Sequence, residues 1–363
     1  MRTFHSLRVV GIHPEAEDAV GISLDIPMEL REVYRGLPGQ HVVVKSGIND
    51  DESRRTYSIV SPPGESPLRI VARIHAAGQM SRYFADQLTE GDELDVLPPN
   101  GSFTPRRDGQ GKGRYVAFAS GCGITPVLSI IRSLLSADPC NRVILFYGNV
   151  STARAMCLEE LLGLKDRYLD RLSLHFVMSR EPQEVELYNG RIDPAKVREF
   201  ARSLFSPAEV TEFFVCGPGN MIDEVSATLR QLEVEADRVH AEHFTLATTT
   251  AAERTSEATT APAPAAAAVA ASEVTVLMDG RRRTFTMRMN DEVVLDAALR
   301  AGLELPFSCR AGVCSTCRTK VVRGEVEMAQ NYALEDWEVR QGYILACQSC
   351  VKTPVLELDY DEK

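Results

Sequence analysis

The segment that decides the fold of the carboxyl-terminal region reads Ser308-Cys309-Arg310-Ala311-Gly312-Val313-Cys314-Ser315-Thr316-Cys317, and Cys347 lies further along the chain. Its cysteines follow the spacing C-x4-C-x2-C with a distant fourth thiol, which is typical of the ligands of a [2Fe–2S] cluster. Glycine and small side chains between the thiols would let backbone amides approach the cluster closely. We therefore predict that Cys309, Cys314, Cys317 and Cys347 bind the metal. The alternatives are a zinc ribbon, for which Cys347 and Cys350 would be the second short pair, and inert buried thiols.

Composition indicates an ordinary globular protein of two or three domains, because 363 residues exceed what one core usually spans. The net charge of −11 argues against nonspecific binding to nucleic acid or to anionic membranes. The chain starts without a signal-peptide pattern, and no segment has the length of a membrane span. Nine cysteines, an odd number, indicate reduced thiols and metal ligands. We expect a cytoplasmic protein that acts on small molecules and protein partners.

The hydrophobic pattern divides the chain into three domains and a linker. Residues 1–108 contain short strands separated by turns, at 7–12, 20–26, 41–45, 56–60, 68–74 and 93–97, which predicts an antiparallel β-barrel. Residues 109–246 alternate apolar runs, at 115–119, 143–147, 172–178 and 213–216, with helical segments, which predicts an α/β domain with a parallel sheet.

The remaining sequence is a linker followed by a small domain. Residues 247–272 consist almost entirely of Ala, Thr, Pro, Ser and Glu without apolar periodicity, so they form no core. Residues 273–363 begin with two strand-like runs around the turn Asp279-Gly280, followed by a helix near 293–300 and the cysteine loop. This order predicts an α+β domain of the β-grasp type.

The barrel carries a pattern suited to a flavin dinucleotide. In Arg55-Thr56-Tyr57-Ser58, the guanidinium suits a pyrophosphate, the ring a flat heterocycle, and the hydroxyl a hydrogen bond. A second segment runs from Val71 to Ser81, where we expect Ser81 to cap a helix whose free amides face phosphate. An exposed strand edge and an ordinary helix cap explain each motif singly, so only the combination favours FAD.

Two glycine turns in the α/β domain predict a nicotinamide nucleotide site. Ser120-Gly121-Cys122-Gly123-Ile124-Thr125-Pro126 and Cys216-Gly217 follow predicted strands, and ligands of open α/β sheets bind at the carboxyl ends of strands. The first turn is not a complete G-x-G-x-x-G fingerprint, so a bare strand-to-helix turn stays open. Ser179 and Arg180 could hold a 2′-phosphate, although a solvated arginine is equally plausible. Tyr188 could stack on adenine or simply pack.

With these domains in this order, the sequence resembles the ferredoxin-NADP reductase superfamily fused to a carboxyl-terminal ferredoxin. Within it, the resemblance extends to the reductase components of bacterial phenylacetyl-CoA monooxygenases. That resemblance is carried by Thr3-Phe4-His5-Ser6-Leu7, Pro38-Gly39-Gln40-His41, Tyr147-Gly148-Asn149, Asn189-Gly190-Arg191-Ile192-Asp193, residues 328–334 and Gly342-Tyr343-Ile344-Leu345-Ala346-Cys347-Gln348.

The resemblance implies roles for particular residues. Those expected to bind FAD are Arg55, Tyr57, Ser58, Val71, Gly78, Met80, Ser81 and Phe244. Those expected to bind NADPH are Gly121, Gly123, Thr125, Pro126, Ser179, Arg180, Tyr188, Cys216 and Gly217. Ser58, Cys216 and Glu242 would be catalytic, Glu242 as part of an E-x-aromatic element. One departure leaves NADH possible, because Glu186 stands where relatives place a lysine before the adenine-stacking tyrosine.

The resemblance also implies an activity. We expect an NAD(P)H-dependent oxidoreductase that passes electrons from NADPH through FAD and a [2Fe–2S] cluster to an oxygenase partner, namely phenylacetyl-CoA epoxidase in aerobic phenylacetate degradation. The reductase of a steroid or aromatic-ring hydroxylase is an alternative, and so is a redox sensor or electron carrier that does not turn over nicotinamide. Acidic residues of the cluster domain could dock the partner, although a merely solvated face explains any single one of them. They are Glu325, Glu327, Glu335, Asp336 and Glu338.

Overall fold

The computed structural model of the chain describes residues 3–48, 51–106, 112–244 and 271–362. These residues form two compact units, one of residues 3–244 and one that includes residues 271–362. The predicted linker lies outside the described residues except for Ala271 and Ser272, which already belong to a strand. None of the described helices is long and apolar enough to cross a membrane.

The first domain is an antiparallel β-barrel, as predicted. Its elements are β1 (His5–Ala16), β2 (Ala19–Leu24), β3 (His41–Ile48), β4 (Asp51–Ser58), β5 (Leu68–Arg73), α1 (Gln79–Asp86) and β6 (Glu93–Val96). The strands follow the order β4-β3-β6-β1-β2-β5, and an isolated bridge between Ile59 and Ile70 joins the two edges. Alternate residues such as Leu7 and Val9 fill the interior, as the two-residue period of a strand requires.

The second domain is a five-stranded parallel sheet flanked by helices, which confirms the α/β prediction. Its strands are β7 (Arg114–Ser120), β8 (Arg142–Asn149), β9 (Leu172–Met178), β10 (Glu212–Gly217) and β11 (Val239–His243). Its helices are α2 (Ile124–Ala137), α3 (Leu158–Arg167), α4 (Pro194–Ser203) and α5 (Gly219–Gln231). The strand order β11-β10-β7-β8-β9 reverses direction between β7 and β10. A crevice forms at such a switch point, outside the carboxyl ends of the two strands.

One apolar cluster contains residues of both the barrel and the parallel-sheet domain. Val60, Val71 and Phe103 of the barrel domain pack in the same cluster as the buried residues of α2 and β7. Ion pairs reinforce this junction, because Arg69 of β5 contacts Glu160 of α3. This packing holds the barrel against the carboxyl edge of the parallel sheet.

The carboxyl-terminal unit is a β-grasp domain. It contains β12 (Ala271–Met278), β13 (Arg281–Arg288), α6 (Val294–Arg300), β14 (Arg318–Arg323), β15 (Val326–Met328), α7 (Asp336–Arg340), β16 (Tyr343–Leu345), β17 (Ser349–Val351) and β18 (Val355–Asp359). Its main sheet has the order β13-β12-β18-β14-β16. Asp279 and Gly280 both adopt positive φ, at 52° and 69°, as a two-residue hairpin turn requires. The carboxylate of Asp361 accepts hydrogen bonds from both of their amides, at 2.7 and 2.8 Å.

Gly39 lies at the junction of the two amino-terminal domains, and replacing it tests how closely they pack. Its φ is +85°, and a Cβ there would lie 2.0 Å from the carbonyl oxygen of Phe103 and 2.9 Å from Cδ1 of Ile130. We expect Gly39→Ala to lower the free energy of unfolding by roughly 3 kcal/mol, measured by calorimetry of the whole chain.

The matched control is Gly163→Ala in α3, where nothing lies within 4 Å of the added Cβ. Alanine favours a helix over glycine by roughly 0.5–1 kcal/mol, so this variant should be as stable as the parent or slightly more stable. If Gly39→Ala were as stable as Gly163→Ala, residue 39 would not pack between Phe103 and Ile130 as described.

Candidate active site and candidate iron–sulfur centre

The two predicted glycine turns meet at the switch point of the parallel sheet. Gly123 precedes α2, and a Cβ on it would lie 2.1 Å from the carbonyl oxygen of Cys216 and 2.9 Å from the amide nitrogen of Gly217. Only a residue without a side chain allows this approach. Gly121 has a φ of +56°, and nothing lies within 4 Å of its would-be Cβ. Its uncrowded backbone therefore lies next to the start of α2, where helix amides favour an anionic group.

Side chains from both domains converge at this edge. His41 begins β3 and pairs with Ser58 of β4, while Glu242 of β11 pairs with Cys216 of β10. His41 links the two pairs, because its Nδ1 lies 3.7 Å from Oε1 of Glu242. These contacts connect the three residues predicted to be catalytic, because Ser58 is the strand partner of His41 and Cys216 is the strand partner of Glu242. Sequence reasoning did not assign a role to His41, which occurred only in a quoted motif of the resemblance.

Burial shifts the pKa values of Glu242 and Cys216. Burial raises the pKa of the Glu242 carboxyl above its ordinary value, and His41 opposes that rise. Burial also raises the pKa of the Cys216 thiol well above its ordinary value, and the neighbouring Glu242 and Cys122 add to the rise. Cys216 is therefore a neutral thiol near pH 7 and lacks the thiolate that a cysteine nucleophile needs.

Several polar atoms of this group lack a hydrogen-bond partner among the described residues. They are Nδ1 and Nε2 of His41, Oγ of Ser58 and Oε2 of Glu242. Buried polar atoms are almost always hydrogen-bonded in folded proteins, so these atoms fit a polar ligand that enters the crevice. A flavin, when bound, accepts a hydride and releases electrons singly. The ring nitrogens and carbonyls of an isoalloxazine have the donor and acceptor groups that such a site would satisfy.

The barrel offers a surface for the remaining part of a flavin dinucleotide. Arg55 and Tyr57 lie on the same face of β4, two residues apart, and Arg55 is exposed. Its Nη1 donates to the carbonyl oxygen of Arg54 at 2.8 Å. The ring of Tyr57 lies 5.3 Å from that of Phe84, so β4 contacts α1. The half-buried Phe244 packs against the core shared by both domains.

The start of α1 differs from the prediction. Gly78 is the residue before the first turn, and the helix begins at Gln79. Ser81 lies inside the helix, where its Oγ accepts a hydrogen bond from the amide of His75 at 3.1 Å and donates to the carbonyl oxygen of Gly78 at 3.2 Å. The expectation that Ser81 caps the helix was wrong, because the tight turn before Gln79 starts the helix earlier.

Two residues predicted to bind FAD use their side chains elsewhere. Met80 packs in the barrel core, and Val71 packs in the core shared with the α/β domain. Both are almost completely buried. Only their backbone groups could therefore contact a cofactor.

The predicted 2′-phosphate residues lie beyond β9. The amide of Ser179 donates to the carbonyl oxygen of Asn149, and the amide of Arg180 to that of Val150, both at 2.9 Å. The Arg180 side chain is exposed. Tyr188 is half-buried, and its hydroxyl lies 2.8 Å from Nδ1 of His175. Tyr188 therefore packs on the sheet with one side, and adenine stacking on the other side stays a prediction.

The four predicted metal ligands form two pairs. A hydrogen bond with Cys314 lowers the pKa of Cys309 to about 7 against desolvation, with help from the amides of Ala311 and Val313. A hydrogen bond with Cys317 lowers the pKa of Cys347, which also receives the amide of Gly312. Two thiol pairs supplied with backbone amides fit the two irons of a [2Fe–2S] cluster.

The loop that carries Cys309, Cys314 and Cys317 contains three residues with left-handed backbone conformations. Arg310, Gly312 and Ser315 have positive φ angles of 54°, 76° and 50°. Such conformations cost energy in non-glycine residues and are concentrated at functional sites. A Cβ on Gly312 would lie 3.0 Å from the carbonyl oxygen of Gln330, so the loop packs closely on the chain beyond β15.

Cys350 is separate from the four thiols. It lies in β17, its bridge partner is Val293, and burial raises its pKa. The charged neighbours of its thiol are Lys352, Glu327 and Asp291, with no cysteine among them. The zinc-ribbon alternative that required Cys350 is therefore not supported.

Family models match each of the three domains. A 2Fe-2S iron-sulfur cluster binding domain matches residues 276–352, an oxidoreductase NAD-binding domain residues 118–227, and an oxidoreductase FAD-binding domain residues 7–104. A chain with these three domains is an NAD(P)H-dependent flavin and iron–sulfur oxidoreductase.

The chain belongs to the family of oxygenase reductase components that includes a subunit of the 1,2-phenylacetyl-CoA epoxidase of Escherichia coli K12. It is 38% identical to that protein over 365 residues, which covers 100% of this chain and 99% of the relative. It is 29% identical to the ferredoxin reductase component of 3-ketosteroid-9-alpha-monooxygenase from Rhodococcus rhodochrous, with coverage of 98% and 96%.

Solved structures share the fold. Phthalate dioxygenase reductase matches with a TM-score of 0.58 at 23% identity, covering 98% of both chains. An intact type IV self-sufficient cytochrome P450 monooxygenase matches with a TM-score of 0.70 at 21% identity, covering 98% of this chain and 41% of the other. These matches confirm the three-domain architecture.

Replacing single cysteines tests the metal assignment. We expect Cys314→Ser to abolish bound iron and the visible absorbance of the cluster, since it removes one member of a thiol pair. NADPH should still bleach the flavin, because the two compact units are separate. Iron analysis and absorption spectra of protein purified without oxygen measure both effects.

Cys350→Ser is the matched control and should keep the full iron content. Equal iron loss in both variants would contradict the assignment of the four ligands. Loss of flavin reduction in Cys314→Ser would show instead that the two units depend on each other.

Proposed function

We propose that this chain accepts a hydride from NADPH at FAD and passes electrons singly through its [2Fe–2S] cluster to the oxygenase of phenylacetyl-CoA epoxidase. The setting would be cytoplasmic degradation of phenylacetate in the presence of oxygen. This proposal depends on the observation that one chain contains both a crevice between two nucleotide-binding domains and a separate centre of four thiols. A nicotinamide donates two electrons together and the cluster accepts one, so both parts are needed.

The residues of the cleft have distinct proposed roles. Arg55, Tyr57 and Ser58 would contact FAD, with Gly78 and the first amides of α1 close to its phosphates. The turns of Gly121 and Gly217 would hold the nicotinamide dinucleotide at the switch point. Ser58 and Glu242 would supply the polar contacts and the proton of the reacting ring. Cys216 would pack against the nicotinamide as a neutral thiol.

The full-length identity of 38% to a component of the epoxidase, against 29% to a ketosteroid monooxygenase component, favours the epoxidase as the acceptor. Some acidic residues of the cluster domain are less suited to contact the oxygenase, because they already form ion pairs within the chain. Glu338 is buried and pairs with Arg318 at 2.8 Å, and Glu327 pairs with Lys352 at 2.5 Å. The exposed Glu325 is the better candidate for a partner contact. The carboxylate of Glu335 accepts hydrogen bonds from Nε1 of Trp337 and from the amide of Glu338, and the side chain of Asp336 lies outside the described part of the structure.

Reconstitution tests the proposal. The purified chain, loaded with FAD and cluster, is mixed with NADPH and with one of two oxygenase components, that of phenylacetyl-CoA epoxidase or that of ketosteroid monooxygenase. We expect product only with the epoxidase. Product only with the ketosteroid enzyme would contradict the epoxidase as the acceptor. If NADPH did not reduce ferricyanide, the proposed enzyme activity would be refuted and a redox sensor would be favoured.

Arg180 tests the choice of nicotinamide. We expect Arg180→Ala to raise KM for NADPH on the order of tenfold, because a charge-assisted hydrogen bond to a phosphate contributes about 1.5–3 kcal/mol. KM for NADH should change less than about twofold. Steady-state ferricyanide reduction with each nucleotide measures both constants.

Arg202→Ala is the control, since Arg202 is an exposed arginine of the same domain that pairs with Glu199 on α4. It should leave both constants unchanged. Equal increases for NADPH and NADH in Arg180→Ala would contradict a role in binding the 2′-phosphate.

A further inference from the structure

A buried histidine from the barrel contacts a buried carboxyl group from the parallel sheet. The side chains of His41 and Glu242 are 3% and 10% exposed, and Nδ1 of His41 lies 3.7 Å from Oε1 of Glu242. The two residues belong to different domains of the same compact unit. Placing two such groups beside each other away from water is costly unless they interact.

The backbone around His41 keeps its ring in this position. The amide and carbonyl of His41 both bond to Asn100, at 2.9 Å each. Gly101 has a φ of +121°, and a Cβ there would lie 3.0 Å from Nδ1 of His41. The imidazole therefore fills the space that a side chain at residue 101 would occupy, and its ring stays turned toward Glu242.

Few other charged groups face Glu242. From β10, Cys216 is its register partner, and Cys122 lies behind Cys216. Both thiols have raised pKa values and are neutral near pH 7. His243, the next residue of β11, has Asp223 as its charged neighbour. Of these neighbours, His41 is the one that opposes the effect of burial on the pKa of Glu242.

A second buried pair shows what a structural histidine looks like in this sheet. His240 lies 3.3 Å from Glu212, and its ring stacks on Phe214 at 5.1 Å. Glu212 also accepts a hydrogen bond from the amide of Arg106 at 3.1 Å. Oε2 of Glu242 has no hydrogen-bond partner among the described residues, and the same is true of Oε2 of Glu212. The two pairs differ in their histidines, because Nε2 of His240 lies within hydrogen-bond distance of Glu212, whereas both ring nitrogens of His41 lack a partner among the described residues.

We propose that His41 is the positioning residue of Glu242, holding its carboxyl group in the crevice and making its proton available to the bound flavin and nicotinamide. This inference rests on the proposed function for its catalytic consequence. The contact between the two residues belongs to the protein alone and can be tested without turnover.

The variants separate the polar contact between His41 and Glu242 from the packing of the ring. His41→Phe keeps a ring of similar size and removes both nitrogens, whereas His41→Asn keeps an N–H group near the position of Nδ1. His240→Phe is the matched control, because it removes the other buried histidine of a carboxyl pair. Glu242→Gln identifies the signal of Glu242 and serves as the background for a double variant.

The first measurement is infrared spectroscopy of the carboxyl stretching band as a function of pH, on flavin-loaded and flavin-free protein. His41 opposes the effect of burial on Glu242, so its removal should shift the pKa of that carboxyl upward. The Glu242 band should persist to higher pH in His41→Phe, persist less in His41→Asn, and be unchanged in His240→Phe.

The second measurement is the rate at which NADPH reduces the flavin, followed by stopped flow over a range of pH. We expect His41→Phe to lower this rate on the order of tenfold, with KM for NADPH changed less than about twofold. His41→Asn should recover much of the loss. In the Glu242→Gln background, His41→Phe should slow the reaction less than about twofold, because the two residues act as one unit.

Three results would overturn the inference. They are an unchanged Glu242 band in both His41 variants, an equal loss of rate with and without Glu242, and a loss in His240→Phe as large as in His41→Phe. If His41→Phe does not fold, His41→Asn decides through the band alone. If NADPH fails to reduce the flavin of the parent protein, the proposed function fails, but the band still decides whether His41 positions Glu242.

Discussion

The missing side chain of Gly123 is the constraint on which the cleft depends. The first helix of the parallel sheet starts against the backbone of Cys216 and Gly217, at a distance that no Cβ would fit. The parallel pairing of β7 and β10 sets their carboxyl ends side by side at the switch point, and the contact of Gly123 brings the start of α2 onto them. The barrel packs on the same helix, where Phe103 of the barrel and Ile130 of α2 belong to one apolar cluster. This close backbone contact thus places the start of α2, on which the barrel packs, at the crevice.

The cysteines show how the surroundings of a thiol decide its chemistry. Cys216 lies in an apolar sheet, and burial together with an acidic neighbour raises its pKa and keeps the proton on the sulfur. Cys309 has a hydrogen bond with Cys314 and further ones from the amides of Ala311 and Val313, and its pKa falls to about 7. The first thiol suits a neutral contact beside a nucleotide, and the second suits a metal that binds thiolates. The same residue type therefore suits two different chemical roles because the hydrogen bonds around the sulfur differ.

Local pattern was enough to predict most of the fold. Alternating hydrophobicity located the strands to within a few residues, and Asp279-Gly280 predicted its hairpin because few residues tolerate two successive positive φ angles. The cysteine spacing and the two glycine turns were also readable, since each is contiguous in sequence. His41 was missed because its meaning comes from Glu242, which lies on another domain far along the chain. Ser81 was misread because a serine before an amphipathic segment predicts a cap, whereas a tight turn started the helix at Gln79.

Charges near Arg180 bear on the choice of nicotinamide. The neighbouring Glu181 would weaken a phosphate site if its carboxylate were free to approach it. Instead, its oxygens accept hydrogen bonds from Thr152, from the amide at 2.7 Å and from the hydroxyl at 2.6 Å. These hydrogen bonds lower the pKa of Glu181. The carboxylate stays charged but is directed toward Thr152. Glu186 is exposed, so water screens its charge. The orientation of Glu181 toward Thr152 therefore leaves the exposed guanidinium of Arg180 available for the 2′-phosphate contact proposed above, while the lysine of other reductases is missing.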